Sequence, residues 1–435
     1  MSPVEIGLIG LVGLLILLFM RVPIAFALCI AGMVGIIVLE GWSIGNFSLG
    51  NYPYAFLKSW LLVAILLFIL MGYLASSAGV TSHAFNAAYR WLGHLPGGLA
   101  MASIAASGAF AATSGSSVAT AGMMGSVAIP EMKKYGYDDK ISSGAVAAGG
   151  LLGILIPPSI VLVLYGFITK TSVAKLLLAG ILPGILTILV YFVGIYFMVK
   201  RSPAIAPMAQ RFSWKQRWEV LPKMWGVMVL FLAVIVGIYA GIFTPTEAAA
   251  VGAFIALLMS LAKNYKKRGI LSKAFIDTGR TTGMIMAICV GATIFTQFIT
   301  LTGLPETVSE AVANTKLDPI WILIAILSIY IPLGMFLDTI SMLLITIPIF
   351  FPIVSSLGLD PIVFGILVVK MEEISMITPP VGLNVYVIKG VAPDIDINDI
   401  FIGILPFLLM EFIVIGILIM FPQIILILPN SMVSF

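Results

Sequence analysis

Two proline pairs, Pro157-Pro158 and Pro379-Pro380, stand inside apolar stretches long enough to cross a bilayer. Proline has no backbone donor and its ring clashes with the preceding helical turn, so a pair unwinds the helix that contains it. Unwound backbone at membrane depth persists only where protein covers it or a cavity hydrates it. Its freed carbonyls can coordinate a cation, and the new helix N-terminus can face an anion. Two small polar clusters could complete such sites: Ala112-Thr113-Ser114-Gly115-Ser116-Ser117-Val118-Ala119-Thr120, and Gly334-Met335-Phe336-Leu337-Asp338-Thr339-Ile340-Ser341. Hydroxyls and carbonyls are hard oxygen ligands suited to an alkali cation. The competing explanations are plain: a kink for each proline pair, and close helix packing for the Ser/Thr/Gly clusters.

Lys370, Glu372 and Glu373 fall in the same stretch as the second proline pair, where charge is costly and must face a cavity or a partner. A local Lys370–Glu373 pair at i, i+3 is the simplest arrangement. Thr244-Pro245-Thr246-Glu247 reads as a capping box that starts a helix. Cys29 and Cys289 form no redox or metal spacing. His83 and His94 belong to no ligand cluster and read as structural or surface residues. There is no G-x-x-x-x-G-K-[ST] loop, so nothing points to ATP hydrolysis by that route.

The elements that position these residues must be membrane helices. Of 435 residues, 61% are hydrophobic and 10% charged, against about 25% charged in soluble domains. Mean hydropathy is +1.15. Apolar runs predict spans over 4–20, 22–39, 59–78, 141–168, 176–200, 225–244, 247–263, 281–301, 361–389 and 399–425. Met1–Met20 lacks a basic leader and a cleavage site and reads as the first span. Stretches 98–131 and 319–357 are too long for one span and carry the polar clusters at their middles, which predicts two re-entrant hairpins. Basic residues crowd 200–223 and 263–280, which places those segments in the cytoplasm and both termini in the periplasm. Asp394, Asp396 and Asp399 run against that scheme, but acids weigh little in it.

The halves resemble each other at a spacing of 222 residues. That spacing separates Pro130 from Pro352, Gly136 from Gly358, Asp138 from Asp360, and one proline pair from the other; Ser116 pairs with Asp338 and Ser117 with Thr339. Amphipathic segments 81–94 and 304–316 precede the hairpins and read as helices lying in the interface. Five spans per half is odd, so the second half should enter the membrane inverted. The predicted fold class is therefore an all-α polytopic membrane protein, an inverted repeat of two five-span halves, each with a re-entrant hairpin and a Pro-Pro-broken helix. Inverted repeats around a midplane site mark secondary transporters. Only Asp338, Glu372 and Glu373 could serve a proton-driven carrier, which favours sodium, with a proton-coupled carrier of the same fold as the alternative. An ion channel would need a continuous polar lining or repeated filter loops, and an intramembrane enzyme a catalytic constellation; neither is evident.

At these residues the sequence resembles a known family, the large membrane subunit (DctM-like) of tripartite ATP-independent periplasmic (TRAP) transporters. The matching stretches are Ser114 to Ala121 (SGSSVATA), Gly153 to Ile160 (GILIPPSI), Gly241 to Ala250 (GIFTPTEAAA) and Glu373 to Asn384 (EISMITPPVGLN). The resemblance implies an elevator-type carrier without a cofactor, coupled to Na+, in the bacterial inner (cytoplasmic) membrane. It implies two partners, a small four-helix membrane subunit, separate here, and a periplasmic substrate-binding protein. The implied cargo is an organic acid anion such as a C4-dicarboxylate or a sialic acid. Carried over residue by residue, its sodium sites fall on Ser114, Gly115, Ser116, Gly153, Pro157 and Pro158, and on Gly334, Asp338, Thr339, Thr378, Pro379 and Gly382. Thr113, Ser117, Ser159, Ser341 and Asn384 are assigned to the substrate. Ser375 stands where the family often has glycine. The expected division is scaffold over 1–80 and, mainly, 171–300; interfacial arms at 81–94 and 303–316; transport domain over 95–170 and 317–390; and a closing span in 391–435.

Overall fold

The computed structural model describes residues 1–264, 269–315 and 317–432. Lys266, Lys267 and Arg268 of the basic segment 263–280, and Lys316 at the end of the second arm, lie outside the described residues. Among the described residues the chain is helical, with no strand. Seven helices are long and apolar enough to cross a membrane, or eight if Trp42–Leu57 and Leu61–Ser77, bent by 61°, form one span. Pro3–Phe19, Ile24–Glu40, Gly98–Ser114 and Pro319–Gly334 are apolar but shorter. Large apolar side chains face outward, with Phe26 64%, Phe197 62% and Leu409 64% exposed. An outer surface of that kind has lipid as its solvent.

Each stretch with a central polar cluster folds as two helices: Gly98–Ser114 with Ser117–Lys134, and Pro319–Gly334 with Thr339–Ser356. The first pair closes on itself, because Leu99 N, at its start, donates to Tyr137 Oη just past its end at 3.1 Å. In the second, Tyr330 and Thr346 tie the arms together through their hydroxyls at 2.8 Å. The end of that hairpin reaches back to the preceding arm helix Leu304–Ala313 through Ser309 and Ser356, 2.9 Å apart. The first arm helix, Val80–Leu92, buries Ala84 and Phe85 as its pattern requires.

The residues repeated at a spacing of 222 are those that shape the next turn. Gly136 and Gly358 take φ of 74° and 71°, a left-handed conformation that glycine adopts without penalty. Two residues on, Asp138 accepts from Lys140 N, and Asp360 from Ile362 N and Val363 N. Each aspartate thereby caps a 17-residue helix, Asp139–Leu155 or Pro361–Ile377. The hairpin arms before them, Ser117–Lys134 and Thr339–Ser356, are 18 residues each. Both 17-residue helices end at a proline pair and resume as Ile160–Thr169 and Leu383–Val391.

Several expectations need correction. Trp42–Leu57 is a helix where no element was predicted, its polar Asn46, Ser48 and Asn51 having masked the pattern. The span expected at 281–301 begins at Ile270 and runs 32 residues, about 48 Å at 1.5 Å per residue. The closing span 399–425 is two helices, Ile397–Met420 and Gln423–Ser431, parted before Pro422. The span over 225–244 contains a π-helical stretch, Leu232–Val236. The Thr244–Glu247 capping box is present: Thr244 N donates to Glu247 Oε2 at 2.8 Å and Glu247 N to Thr244 Oγ1 at 3.4 Å.

Helix Asp139–Leu155 lies at the centre, buried from Ile141 onward. It meets Ile397–Met420 through two glycines. A Cβ on Gly403 would lie 2.0 Å from Lys140 O, and one on Gly144 2.2 Å from Gly403 O. Because both obstructing atoms are backbone, Gly403→Val forces the helices apart. We expect a loss of about 1–3 kcal/mol, seen as a lower unfolding temperature of the purified protein. A wild-type transition would show the contact to be compliant.

Candidate functional site

Each hairpin tip rests on its neighbouring helix break. In the first half Gly115, at φ 62°, ends one arm, and a Cβ there would lie 2.7 Å from Pro158 O. Gly153 is bare for the same reason: its Cβ would meet Ser116 O at 2.4 Å and Thr120 Oγ1 at 2.6 Å. Ser116 caps the second arm, accepting from Ala119 N at 3.3 Å. Ser114 and Thr120 share a hydrogen bond at 2.8 Å. Pro157, Pro158 and Ser159 are buried, and the Pro157-Pro158 bond is cis. Ser159 Oγ donates to Ile154 O and accepts from Leu162 N, so it joins the two sides of the break. Thr113 is wholly buried and donates to Phe110 O at 2.8 Å.

The second half uses different side chains for the same contact. Asp338 caps Thr339–Ser356, accepting from Ile340 N at 3.2 Å, Ser341 N at 3.4 Å and the Ser341 hydroxyl. Thr339 and Ser341 are buried. Ser375 occupies the position of Gly153, and the small residue moves across the contact to Gly334, whose Cβ would lie 2.2 Å from Ser375 Cβ. Thr378 Oγ1 donates to Ile374 O at 2.7 Å, and Gly382 opens the next helix at φ 56°. The Pro379-Pro380 bond is also cis, but Pro380 is exposed. Glu372 stands where the first half has Gly150; it is fully buried, and neither carboxylate oxygen has a hydrogen-bond partner among the described residues.

Two of the contacts that join the halves come from the second broken helix. Asn384 Nδ2, just past the second break, donates to Ser117 Oγ at 2.8 Å and to Ala147 O at 3.3 Å. Three elements 30 to 267 residues apart meet at this amide, and Asn384 and Ser117 are separate candidates in the sequence. Lys370 makes the expected pair with Glu373, Nζ to Oε2 at 2.6 Å, and also reaches Glu411 Oε2 at 2.5 Å and Thr187 Oγ1 at 3.2 Å. Tyr191 donates to the other oxygen of Glu411. All five residues are fully buried. Glu411 was missed, although a lone acid inside an apolar span is itself a signal.

A cleft of about 640 Å³ opens between the first hairpin tip and two helices, Leu61–Ser77 and Ile270–Leu301. Ser114 and Ser116 line it from the hairpin, with Tyr73, Ser76, Lys273 and Asp277 opposite. Thr281 holds Tyr73 Oη at 2.9 Å. Lys273, Asp277 and Thr281 repeat every four residues, a polar stripe on one helix face. It is legible in the sequence once the helix is known to start at Ile270.

Removing Lys370 would strand two carboxylates in the core. We expect Lys370→Met to cost about 3–5 kcal/mol, and Tyr191→Phe, which leaves one carboxylate oxygen bare, about 1–3 kcal/mol. Thermal unfolding of the purified variants checks the order; a Lys370→Met protein as stable as wild type would contradict it.

The chain matches the family described as "Tripartite ATP-independent periplasmic transporter, DctM component" over residues 11–424. It is 38% identical over 372 residues to the C4-dicarboxylate TRAP transporter large permease protein DctM of Pseudomonas aeruginosa, covering 85% of this chain and 86% of that one. It is 32% identical over 426 residues to the sialic acid TRAP transporter large permease protein SiaM of Vibrio cholerae, covering 97% and 98%. Among solved structures, its fold is similar to that of the Alcanivorax borkumensis YdaH transporter, with a TM-score of 0.64 at 13% identity over 89% of this chain and 90% of that one. The relatives are transporter permeases and not enzymes. With its apolar helices and this breadth of similarity, the chain is a multi-pass membrane protein and belongs to the DctM family of TRAP transporter large permeases.

Proposed function

We propose that this permease takes up an organic acid anion, of the C4-dicarboxylate or sialic acid class, by secondary transport coupled to Na+. The observation that carries the reading is the cleft at the first hairpin tip, where the Ser114 and Ser116 groups suited to a small cation face the Lys273 ammonium across one cavity. An anion held by Lys273 and a cation held by the tip would each favour the other's binding, which is the requirement for coupling. Sodium would occupy the tips and breaks around Ser114, Gly115, Ser116, Gly153, Pro157 and Pro158, and around Gly334, Asp338, Thr339, Thr378, Pro379 and Gly382. Ions carried in excess of the anion's charge would add about 2.3 kcal/mol per charge per 100 mV.

In this reading the halves insert as an inverted repeat in the inner membrane, with both termini periplasmic. The hairpins and broken helices, together with Ile181–Arg201 and Ile397–Met420, which Lys370 and the Gly144–Gly403 contact fix to them, slide as an elevator against the remaining helices. The tight packing of tip on break supports that division, because each tip and its break must move as one body. Thr113, Ser117, Ser159, Ser341 and Asn384 then hold the tips in shape around the substrate. A small membrane subunit covers exposed apolar faces, and a periplasmic binding protein delivers the anion. The names of the relatives support the substrate class; another of them, 35% identical, is an isethionate TRAP transporter permease of Oleidesulfovibrio alaskensis.

The test is uptake of a labelled organic acid into proteoliposomes holding the chain, its small subunit and its binding protein. Uptake should depend on the binding protein, collapse without a sodium gradient, and be lost in Asp338→Ala. Lys273→Gln should raise the apparent KM about tenfold, as expected for one charged hydrogen bond. Uptake driven equally by a proton gradient in sodium-free buffer would overturn the sodium assignment and direct attention to Glu372 and Glu373.

A further inference from the structure

A second cavity, of about 270 Å³, lies away from the hairpin tips. Four elements meet there: the start of Val80–Leu92, the turn Leu221–Met224, the start of Trp225–Phe231 and the end of Pro245–Asn264. Its lining includes His83, Lys223 and Lys263 and no acidic residue. Neither lysine forms an ion pair among the described residues. Lys263 is drawn inward because its Nζ donates to Ala78 O at 2.8 Å, a carbonyl at the C-terminal end of Leu61–Ser77. Gly79, at φ 74°, makes room for it; a Cβ there would lie 2.1 Å from that nitrogen.

Three basic groups converging without an acid repel one another. Burial and the two lysines together hold the His83 imidazole below its usual value. An anion in the cavity would remove the Coulombic part of that cost. The position indicates which anion. Lys223 stands just before the apolar run of the span candidate Trp214–Tyr239, which also contains Trp225, and Lys263 closes another, Pro245–Asn264. Trp225, at the mouth, is 55% exposed, and Met228, one turn on, likewise 55%. Lysines at span ends beside an exposed tryptophan mark headgroup depth, and basic pockets between spans at that depth suit phosphate headgroups.

We propose that this cavity binds the phosphate of an anionic phospholipid, with His83, Lys223 and Lys263 around the headgroup and Trp225 beside the acyl chain. A lipid there ties the arm helix that leads into the first hairpin to two membrane spans. The site is independent of the transported substrate.

The test titrates delipidated, full-length protein with phosphatidylglycerol, phosphatidylcholine or inorganic phosphate, read by native mass spectrometry and thermal unfolding. Phosphatidylglycerol should bind and raise the unfolding temperature, and Lys223→Gln/Lys263→Gln should weaken its binding about thirtyfold. Lys223→Gln alone leaves the Lys263–Ala78 bond intact and should still weaken binding severalfold, which guards against a misfolded double variant. Unchanged binding in both variants, equal binding of phosphatidylcholine, or displacement of the lipid by inorganic phosphate would overturn the proposal.

Discussion

A backbone amide or carbonyl left unpaired in lipid costs several kcal/mol, and this constraint organises the molecule. Two proline pairs open the backbone of two buried helices, and neither opening could persist beside hydrocarbon. The hairpins answer the constraint. Their tips bring short polar residues and bare glycines against the breaks, closely enough that Gly115 and Gly153 leave no space for a Cβ. Ser159 and Thr378 satisfy local carbonyls with their own hydroxyls. Polar tip and broken helix thus require each other, and the same carbonyl-rich contact is where a cation could be bound.

The halves share a frame but not a chemistry. Gly136 with Asp138, and Gly358 with Asp360, build the same turn and cap, and the helices that follow match in length. Inside that frame the second half carries the charge. Glu372 replaces Gly150, whose Cβ would lie 2.7 Å from the Ala121 side chain. Ser375 replaces Gly153 and requires Gly334 opposite. Lys370 bridges Glu373 and Glu411, fixing the broken helix to the closing helix, with Tyr191 and Thr187 joining from a third. Buried charges of this kind persist because removing one partner costs more than keeping all of them.

The cleft follows from a different principle. Leu61–Ser77 and Ile270–Leu301 are apolar enough to face lipid, yet each turns a polar stripe inward toward the first hairpin. Their polar groups stay hydrated in a cavity, so one helix can serve lipid on one side and a charged solute on the other.

The sequence by itself determined the membrane class, the two hairpins, both breaks, the 222-residue repeat and the Lys370–Glu373 pair. Those features rest on local rules: apolar length, proline's missing donor, capping aspartates and i, i+3 spacing. Trp42–Leu57 and the early start at Ile270 were not legible, because polar residues break the apolar pattern that marks a span: Asn46 and Asn51 on an exposed helix face, and Lys273 and Asp277 beside the cleft. Tertiary structure alone decided that Asn384 meets Ser117, that Glu411 completes the charge of Lys370, and that Lys273 shares a cleft with Ser114. Each joins residues from 41 to 267 positions apart, and no local periodicity encodes which faces of distant helices will pack. Only the packing of the buried faces in three dimensions selects them.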